Sequence, residues 1–429
     1  MAKIIGGIAV SHTPAIAFAV DADKADDPAW KPIFEGFAPV RKWLADKKPD
    51  VLFFVYNDHV TSFFFDHYSN FALGFSETFP VADEGGGPRP LPALKGHPAL
   101  AKHIANGLVA DEFDLSFFQA RGLDHGVFSP LSMLMPHERE WPAALVPLQV
   151  GVLQFPIPTA RRCFALGRSL RKAILSFPED LRVVVVGSGG LSHQVNGERA
   201  GFNNTAWDME FLDLLEKDPE KLTELSISDF AERGGIEGAE VVMWLVMRGA
   251  LTAKVRKLHQ SYCLPSMTAT ATVIYEDVPE DAEREAADAY RAQAQREYEG
   301  VTKLKGSYPF TFDLSSRAYR LNKYLHGIIQ PELRGRFLYD REGSYERGRL
   351  TEEEKEMLRK LDWRALIRYG VIFFILEKLA AAVGVPNQAI YAAMRGESLE
   401  AFQKTRKTAV LYSVAGTHGR KDSKDSKKK

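Results

Sequence analysis

The chain has 429 residues, of which 45% are hydrophobic and 26% are charged, so it can bury a sizeable core and divide into two structural units. Its 55 lysines and arginines nearly balance its 56 aspartates and glutamates, which gives no electrostatic reason to expect nucleic acid or an acidic membrane surface as a partner. Cys163 and Cys263 are the only cysteines, which excludes a thiolate metal cluster, argues against a disulfide framework and favours a reducing cytoplasm as the compartment.

The first two thirds of the chain alternate apolar runs with segments of helical period. The N-terminal run is interrupted by SHTP after a single early lysine, so it fits neither a signal peptide nor a membrane-spanning helix. Strands are predicted at Lys3–Val10, Val51–Asn57, Leu181–Val186 and Ser266–Glu276, and the helices between them include Pro98–Leu108 and Thr159–Leu175. This alternation predicts an α/β fold with a central, mostly parallel sheet flanked by helices.

The chain changes character after a charged, alanine-rich helix predicted at Glu280–Gly300. A boundary near Lys305 separates the α/β domain, 1–305, from a small all-α domain, 306–416. Helices are predicted in the second domain at Ser316–Ile329, Thr351–Trp363 and Asp362–Gly384. The last segment, 417–429, is a low-complexity basic tail that we expect to be disordered.

Three histidines each follow a predicted strand. His12 follows the first in AVSHTP, His59 the second in VYNDHV, and His193 the third in VVVVGSGGLSH. In open α/β sheets, ligands bind outside the carboxyl ends of the strands, because side chains from several strand ends converge there. One histidine in such a place is more simply a hydrogen-bonded structural residue, but three repeats of the placement favour a shared site.

A carboxylate is the usual companion of histidines that bind a redox metal, and two histidines with one carboxylate leave three coordination positions open. GGIEGAEVVMW offers Glu237 and Glu240, and Glu240 stands at the start of a predicted buried helix, from which it can point into a cleft. A favourable interaction with the helix dipole explains the same residue equally well. HGVFSP supplies His125, which can act as an acid or a hydrogen-bond donor beside a metal.

Two glycine-rich segments need separate interpretations. GSGGLS, after the third strand, resembles the start of a dinucleotide fingerprint, but Ser192 replaces its third glycine. We interpret these glycines as a tight turn that presents His193. DEGGGPRPLP, at Asp83–Pro92, is a turn-rich loop for which a passive connection is favoured over a mobile segment beside the site.

The ordered set SHTP, NDH, LDHG, GGLSH and GAE resembles the catalytic subunit of class II extradiol dioxygenases of the protocatechuate 4,5-dioxygenase type. This resemblance covers roughly Met1 to Lys305 and implies a catalytic domain there. The segment from Ser316 to about Gly416, with LNKYLHGI and YAAMRGESLEAF, is similar to the separate small subunit of those enzymes. Nearly the whole chain is therefore covered by the resemblance.

By the family pattern, His12, His59 and Glu240 hold Fe(II), while His193 and His125 act on the substrate and on O2. Three protein ligands leave positions for the vicinal oxygens of a catechol and for O2. The resemblance implies that His193 removes a proton from a ring hydroxyl and steers oxygen. It also implies that His125 hydrogen-bonds a substrate oxygen or assists O–O cleavage.

Both parts run on in one chain here, an arrangement similar to that of gallate dioxygenases. The expected reaction is therefore extradiol cleavage of gallate by O2 to 4-oxalomesaconate. The resemblance also implies a homodimer in which the helical domain covers an active site, either its own or the partner's.

Substrate-binding residues are expected in both domains. Thr268 and Thr270 share one face of a predicted strand, and we choose Thr268 to hold the substrate carboxylate, although β propensity alone explains a threonine there and basic residues are an alternative. The additional hydroxyl of gallate requires a hydrogen-bond partner when it is buried. Glu377, Tyr391 and Tyr412 are candidates, and an ordinary amphipathic helix face explains them equally well.

Three rival interpretations stay open. The same reaction on protocatechuate or 3-O-methylgallate differs only in the substrate. A zinc hydrolase would use histidines and a carboxylate to activate water. A non-catalytic binding protein that kept the sheet is disfavoured, because all five candidate metal and catalytic residues are present.

Overall fold

The structure is a computed structural model that describes residues 1–279, 283–406 and 411–415. The predicted basic tail, 417–429, lies outside the described residues. The chain divides into two compact units, Met1–Glu299 and a second that begins at Gly300. Each unit packs around its own hydrophobic core, as expected of separate folding units.

The first unit is organised around a mixed sheet. Its strands are β1 (Lys3–Val10), β2 (Val51–Tyr56), β3 (Phe71–Gly74), β4 (Thr78–Phe79), β5 (Leu94–Lys95), β6 (Ser116–Phe118), β7 (Ala144–Val150), β8 (Arg182–Ser188), β9 (Val255–Cys263) and β10 (Thr270–Asp277). Among the described residues, eight strands form one sheet in the order β6-β3-β7-β2-β8-β1-β10-β9, and β4 pairs with β5. Strands β7, β2, β8 and β1 run parallel at the centre, whereas β10 and β9 are antiparallel at one edge. The predicted mostly parallel α/β sheet is confirmed.

Helices cover both faces of this sheet. They are α1 (Pro14–Asp21), α2 (Lys31–Lys47), α3 (Pro98–Ala110), α4 (His125–Leu134), α5 (Ala160–Leu175), α6 (Thr205–Lys217), α7 (Pro219–Glu224), α8 (Ile227–Gly234), a 3-10 helix (Glu237–Val241), α9 (Val242–Gly249) and α10 (Glu283–Arg296). Successive residues of a strand point to opposite faces. On β1, a Cβ at Gly6 would meet Trp43 of α2, whereas a Cβ at Gly7 would meet Met247 of α9. Because both faces are covered, β2 and β8 are nearly continuous apolar runs.

The second unit is helical in its described residues, as predicted. Its elements are a 3-10 helix (Val301–Lys303), α11 (Phe312–Arg317), α12 (Tyr319–Gly327), α13 (Pro331–Tyr339), α14 (Arg341–Arg347), α15 (Glu352–Lys360), α16 (Trp363–Tyr369), α17 (Phe373–Val383), α18 (Asn387–Arg395) and α19 (Leu399–Arg406). Thr351 caps α15, and its side chain and that of Glu354 form a reciprocal capping box. The predicted threonine cap is therefore confirmed.

Two predicted helices of this unit are interrupted. The helix expected over Asp362–Gly384 is divided at Gly370, whose φ of 119° no continuous helix allows. Asn322 stabilises the break, because its Nδ2 donates to Gly370 O at 2.9 Å and its Oδ1 accepts from Ile372 N at 3.1 Å. The helix expected over Ser316–Ile329 was likewise wrong in extent, since α11 and α12 are separated at Ala318 and α12 ends at Gly327.

The sheet aligns the ends of its three central strands. β8 lies between β2 and β1, and all three run in the same direction. Val10 at the end of β1 is paired with Ser188 at the end of β8, and Val55 of β2 is paired with Gly187. The loops that follow these strands therefore leave the sheet side by side.

Candidate metal centre

Two imidazoles and one carboxylate meet at the carboxyl ends of the central strands. His12 follows β1 and His59 follows β2, while Glu240 comes from the 3-10 helix before α9. One potential ligand atom from each of these residues lies within 4.8 Å of the other two. His12 Nε2 and Glu240 Oε1 are 3.5 Å apart, and the two imidazole centroids are 5.1 Å apart. The structure therefore brings together the three side chains that the sequence suggested as metal ligands.

His12 is oriented by a serine at the end of the neighbouring strand. Its Nδ1 lies 2.6 Å from Ser188 Oγ, and that hydroxyl donates its own proton to Gly126 O at 2.8 Å. Ser188 must therefore accept from His12 Nδ1–H, which leaves the lone pair on Nε2, the atom that faces Glu240. Burial, reinforced by the neighbouring His59, His125 and His193 rings, holds the pKa of His12 well below its usual value. A neutral imidazole is the form that binds a metal ion.

His59 is oriented by a buried carboxylate. Asp124 Oδ2 accepts from His59 Nδ1 at 3.0 Å and from the His59 backbone N–H at 2.7 Å. Burial favours the neutral ring, but Asp124, together with the nearby Glu240 and Asp58, outweighs this effect and raises the pKa of His59. The pairing with His59 in turn lowers the pKa of Asp124 against the effect of burial. Because Nδ1 is committed to Asp124, Nε2 carries the lone pair; it lies 3.2 Å from Asn57 Nδ2, a donor whose place a metal ion would take. This is the carboxylate–histidine–metal arrangement found around many metal ligands.

Asp124 was not among the residues predicted from the sequence. Its other oxygen, Oδ1, accepts from Gly126 N at 3.0 Å and caps α4. An aspartate directly before a helix is the usual sign of such a cap, and it also precedes His125 in LDHG. That signal predicts the cap, but the pairing with His59, 65 residues earlier, requires the tertiary structure.

The two candidate glutamates separate in the structure. Glu240 is 6% exposed, and its Oε1 accepts from the backbone N–H of Gly190 in the loop after β8. Glu237 instead accepts from Val195 N at 3.1 Å and from the Asn196 side chain. Glu240 is therefore the carboxylate that joins the two imidazoles, as the sequence analysis preferred.

His193 lies beside the three potential ligands on the loop that follows β8. Its Nδ1 donates to Leu191 O at 2.8 Å, so Nε2 is left as the acceptor of the ring. A Cβ at Gly190 would lie 2.7 Å from Cε1 of His193, so a larger residue at position 190 would push the ring from this position. Asp208 anchors the loop, accepting from Ser192 N at 2.8 Å and from Ser192 Oγ at 2.6 Å.

His125 begins α4 and stacks on His59. The two ring centroids are 3.9 Å apart with an interplanar angle of 27°. His125 Nδ1 pairs with Glu84 Oε1 at 2.5 Å. His59, Asp124 and His125 form a second group close enough to hold a metal, but Asp124 already uses both of its oxygens on other donors. The group that contains Glu240 is therefore the better metal site.

A cavity of about 490 Å³ opens onto these side chains. Its polar wall includes His12, His59, His125, His193, Glu240 and Thr268, and its apolar wall includes Val152, Leu153, Phe155, Val195 and Ile236. The predicted strand at Ser266–Glu276 was wrong at its start, because β10 begins at Thr270 and Thr268 lies in the preceding loop. Thr270 is buried, so Thr268 is the threonine that reaches the cavity. A concave site with an apolar wall and a few convergent polar groups is typical for small ligands.

Comparisons with known proteins agree with this architecture. The family model for the catalytic LigB subunit of aromatic ring-opening dioxygenase matches residues 6–275. The model for the LigA subunit of the aromatic-ring-opening dioxygenase LigAB matches residues 321–407. The chain belongs to the LigAB family. It is an extradiol aromatic ring-opening dioxygenase in which the catalytic LigB and LigA parts are fused.

Curated relatives of this LigAB-family chain are ring-cleaving dioxygenases. Gallate dioxygenase of Pseudomonas putida strain KT2440 is 56% identical over 336 residues, which cover 78% of this chain and 99% of that protein. The 2,3-dihydroxyphenylpropionate/2,3-dihydroxicinnamic acid 1,2-dioxygenase of Photorhabdus laumondii is 26% identical, over 57% of this chain and 87% of that protein. Among the residues described, no helix of the LigAB-family chain has both the length and the apolar character needed to cross a membrane.

The three candidate residues of the helical unit lie close to one another. Tyr391 OH and Tyr412 OH are 3.1 Å apart. Asn387, a buried residue, donates from its backbone N to Tyr412 O at 3.0 Å and from its Nδ2 to Glu377 Oε1. Asn387 therefore links Glu377 to Tyr412, and we call Glu377, Tyr391 and Tyr412 the tyrosine cluster. Asn387 itself was missed by sequence reasoning, because an asparagine at the start of a helix signals only a helix boundary.

Proposed function

We propose that this chain cleaves the ring of gallate with O2 to give 4-oxalomesaconate, using Fe(II) held by His12, His59 and Glu240. The observation that carries the proposal is the meeting of these three side chains at one end of an open cavity. Two histidines and one carboxylate form the donor set of non-haem ferrous oxygenases. The 56% identity to a gallate dioxygenase supports gallate over protocatechuate or 3-O-methylgallate.

The iron and the protein have separate tasks in this proposal. When bound, Fe(II) supplies open coordination positions for a vicinal diol and for O2, together with the transfer of electrons between them. His193 Nε2 accepts a proton from a ring hydroxyl, for which its committed Nδ1 leaves it in the correct tautomer. His125 hydrogen-bonds a substrate oxygen and assists O–O cleavage. The apolar cavity wall limits access of water to the reacting ring.

Substrate recognition is proposed to use Thr268 for the carboxylate and the tyrosine cluster for the additional hydroxyl. The position of Thr268 on the cavity wall supports its role, because a hydroxyl can donate to a carboxylate oxygen. The short distances within the tyrosine cluster support a joint role, since a carboxylate and two phenols together supply both donors and acceptors. A site built to pair a substrate hydroxyl discriminates strongly against an analogue that lacks it.

The remaining elements of the proposal concern organisation. We propose a catalytic domain over 1–305 and a small-subunit-like domain over 306–416, which is supported by the two family matches at 6–275 and 321–407. A homodimer is expected, and sedimentation of the purified protein would measure it. A cytoplasmic location is supported by the presence of only two cysteines, which are not paired with each other.

The test begins with protein purified without oxygen. Metal analysis should find about one iron per chain, and admission of air should produce O2 uptake and the ring-opened product with gallate faster than with protocatechuate or 3-O-methylgallate. Zinc in place of iron, together with activity that needs no O2, would refute the dioxygenase proposal. Equal rates with protocatechuate and gallate would refute the substrate assignment alone.

Two glutamate variants form a matched pair for the ligand assignment. Glu240→Gln should lose bound iron, because a neutral amide replaces the charged ligand. Glu237→Gln should keep iron, because Glu237 bonds to Val195 and Asn196 instead of joining the two imidazoles. Equal iron loss in both variants would contradict the assignment of Glu240.

A further inference from the structure

The turn-rich loop at Asp83–Pro92 reaches the metal centre through one side chain, Glu84. The segment before it is fixed against the chain that carries Asp124 and His125. Ala82 N donates to Leu123 O at 2.8 Å, and Leu123 N donates to Pro80 O at 2.9 Å. This short ladder holds the start of the loop beside the first turn of α4.

Both carboxylate oxygens of Glu84 accept hydrogen bonds from His125. Its Oε1 pairs with the ring Nδ1 at 2.5 Å, and its Oε2 accepts from the backbone N–H at 3.1 Å. The Glu84 side chain is 36% exposed, whereas that of His125 is 14% exposed. An ion pair at such a partly exposed place contributes little to the free energy of unfolding, so a contribution to stability does not account for this pair.

The pair fixes which nitrogen of His125 is available. A carboxylate has no proton to give, so Nδ1 donates to it, and Nε2 is left as the nitrogen that can meet a ligand. The ring lines the cavity, whereas Glu84 is not among the cavity residues, so Glu84 approaches His125 from the side away from the ligand space. Stacking on His59 fixes the ring plane but not its tautomer.

We propose that Glu84 is a positioning residue for ring cleavage, which holds the ring of His125 with Nε2 toward the bound aromatic substrate. This inference rests on the proposed role of His125. It assigns a function to a loop that the sequence favoured as a passive connection. Glu84 acts through His125 and does not itself touch the substrate.

The rest of the loop is held independently of Glu84. Asp83 Oδ1 accepts from Gly85 N at 2.8 Å and from Gly87 N at 3.0 Å. Arg89 pairs with both oxygens of Asp21, at 2.7 and 2.6 Å, and its Nη1 donates to the backbone of α4. Replacing Glu84 should therefore release His125 without unfolding the loop.

The experiment compares variants of two adjacent acidic residues in steady-state gallate cleavage by the iron-loaded full chain. Glu84→Ala should lower kcat by about tenfold to a hundredfold, by analogy with residues that orient metal-binding histidines, with KM and iron content near those of the parent protein. Glu84→Gln should recover part of kcat, because its amide oxygen can still accept from Nδ1. Asp83→Ala should keep most of the parent kcat, since Asp83 does not contact His125, and the Ala82–Leu123 hydrogen bond and the Arg89–Asp21 pair still hold the loop.

A double variant separates this inference from the proposed function. In a His125→Phe background, Glu84→Ala should have no additional effect, because residues that act as one unit are not additive. A further fall in kcat there, loss of iron in Glu84→Ala, or a parent-like kcat in Glu84→Ala would each overturn the role of Glu84. Full turnover by His125→Phe alone would instead overturn the proposed role of His125.

Discussion

Replacing Asp124 by asparagine tests how the metal centre is oriented. Asp124 is fully buried and serves three donors: its Oδ2 accepts from the backbone and ring of His59, and its Oδ1 accepts from Gly126 N. An amide of the same shape has only one oxygen. Its NH2 group must face either the Gly126 N–H, which is donor against donor, or His59, where it meets the backbone N–H, again donor against donor, and the ring Nδ1.

The second arrangement reverses the tautomer of His59. If the amide NH2 donates to Nδ1, the ring proton moves to Nε2, and the nitrogen that would bind iron loses its lone pair. Loss of an outer partner of a metal ligand typically costs tenfold to a hundredfold in affinity, or about 1.4 to 2.8 kcal/mol. A buried donor left without its charged partner should also lower the free energy of unfolding by about 1.5 to 3 kcal/mol.

Competition for Fe(II) with a calibrated chelator under anaerobic conditions measures the first effect, and denaturant unfolding of the metal-free protein measures the second. Asp58→Asn is the control. Asp58 is equally buried and accepts from the backbone N–H groups of Thr61, Ser62 and Phe63, without a hydrogen bond to an imidazole.

The control variant should therefore be destabilised to a similar degree and yet keep most of its iron affinity. Parent-like affinity in Asp124→Asn would refute the tautomer argument. Equal weakening of iron binding in both variants would show that general loosening of the loops, and not the orientation of His59, controls the metal.

Three further outcomes are expected. His193→Phe should retain iron and gallate binding but lose most of its single-turnover rate, whereas loss of iron would make His193 a ligand. Thr268→Val should raise KM for gallate about fivefold, the equivalent of one hydrogen bond of about 1 kcal/mol, and an unchanged KM would remove Thr268 from the site. Burial and the nearby Arg291 lower the pKa of His103 to about 4, so His103 binds more protons in the unfolded chain than in the folded protein between about pH 4 and pH 6.5. The free energy of unfolding should fall by about 1 to 2 kcal/mol when the pH is lowered from 7 to 5. Denaturant titrations at several pH values should show a weaker pH dependence for His103→Gln.

The parts of the site that sequence could predict are those set by strand ends. Continuous apolar runs in β2 and β8 identify strands covered on both faces, and parallel strands place the residues that follow them at one edge. That reasoning brings His12, His59 and His193 together. Glu240 follows from an acidic residue directly before an apolar helix.

The parts that sequence could not predict depend on side chains that meet across loops. The sequence pattern around Asp124 indicates a helix cap, which is the role of Oδ1. The bond between Oδ2 and His59 depends on the tertiary structure. Glu84 stands in a loop rich in glycine and proline, whose pattern indicates a turn and says nothing of the partner 41 residues later. The helix break at Gly370 could not be predicted for the same reason: it depends on Asn322, 48 residues earlier, which hydrogen-bonds to the backbone on both sides of the break.

The charges around the candidate metal centre are consistent with a divalent cation. Glu240 is 6% exposed and Asp124 fully buried, so the centre holds two carboxylates in a region where water screens little. His12 is kept neutral by burial, and its neighbouring imidazoles resist a further positive charge in the same place. A divalent ion would balance the two carboxylates and take the place of a proton on His59, whose pKa the nearby carboxylates raise. The same balance favours a serine over an aspartate behind His12, because a third buried carboxylate would leave the candidate centre with excess negative charge, which a catechol losing its protons would only increase.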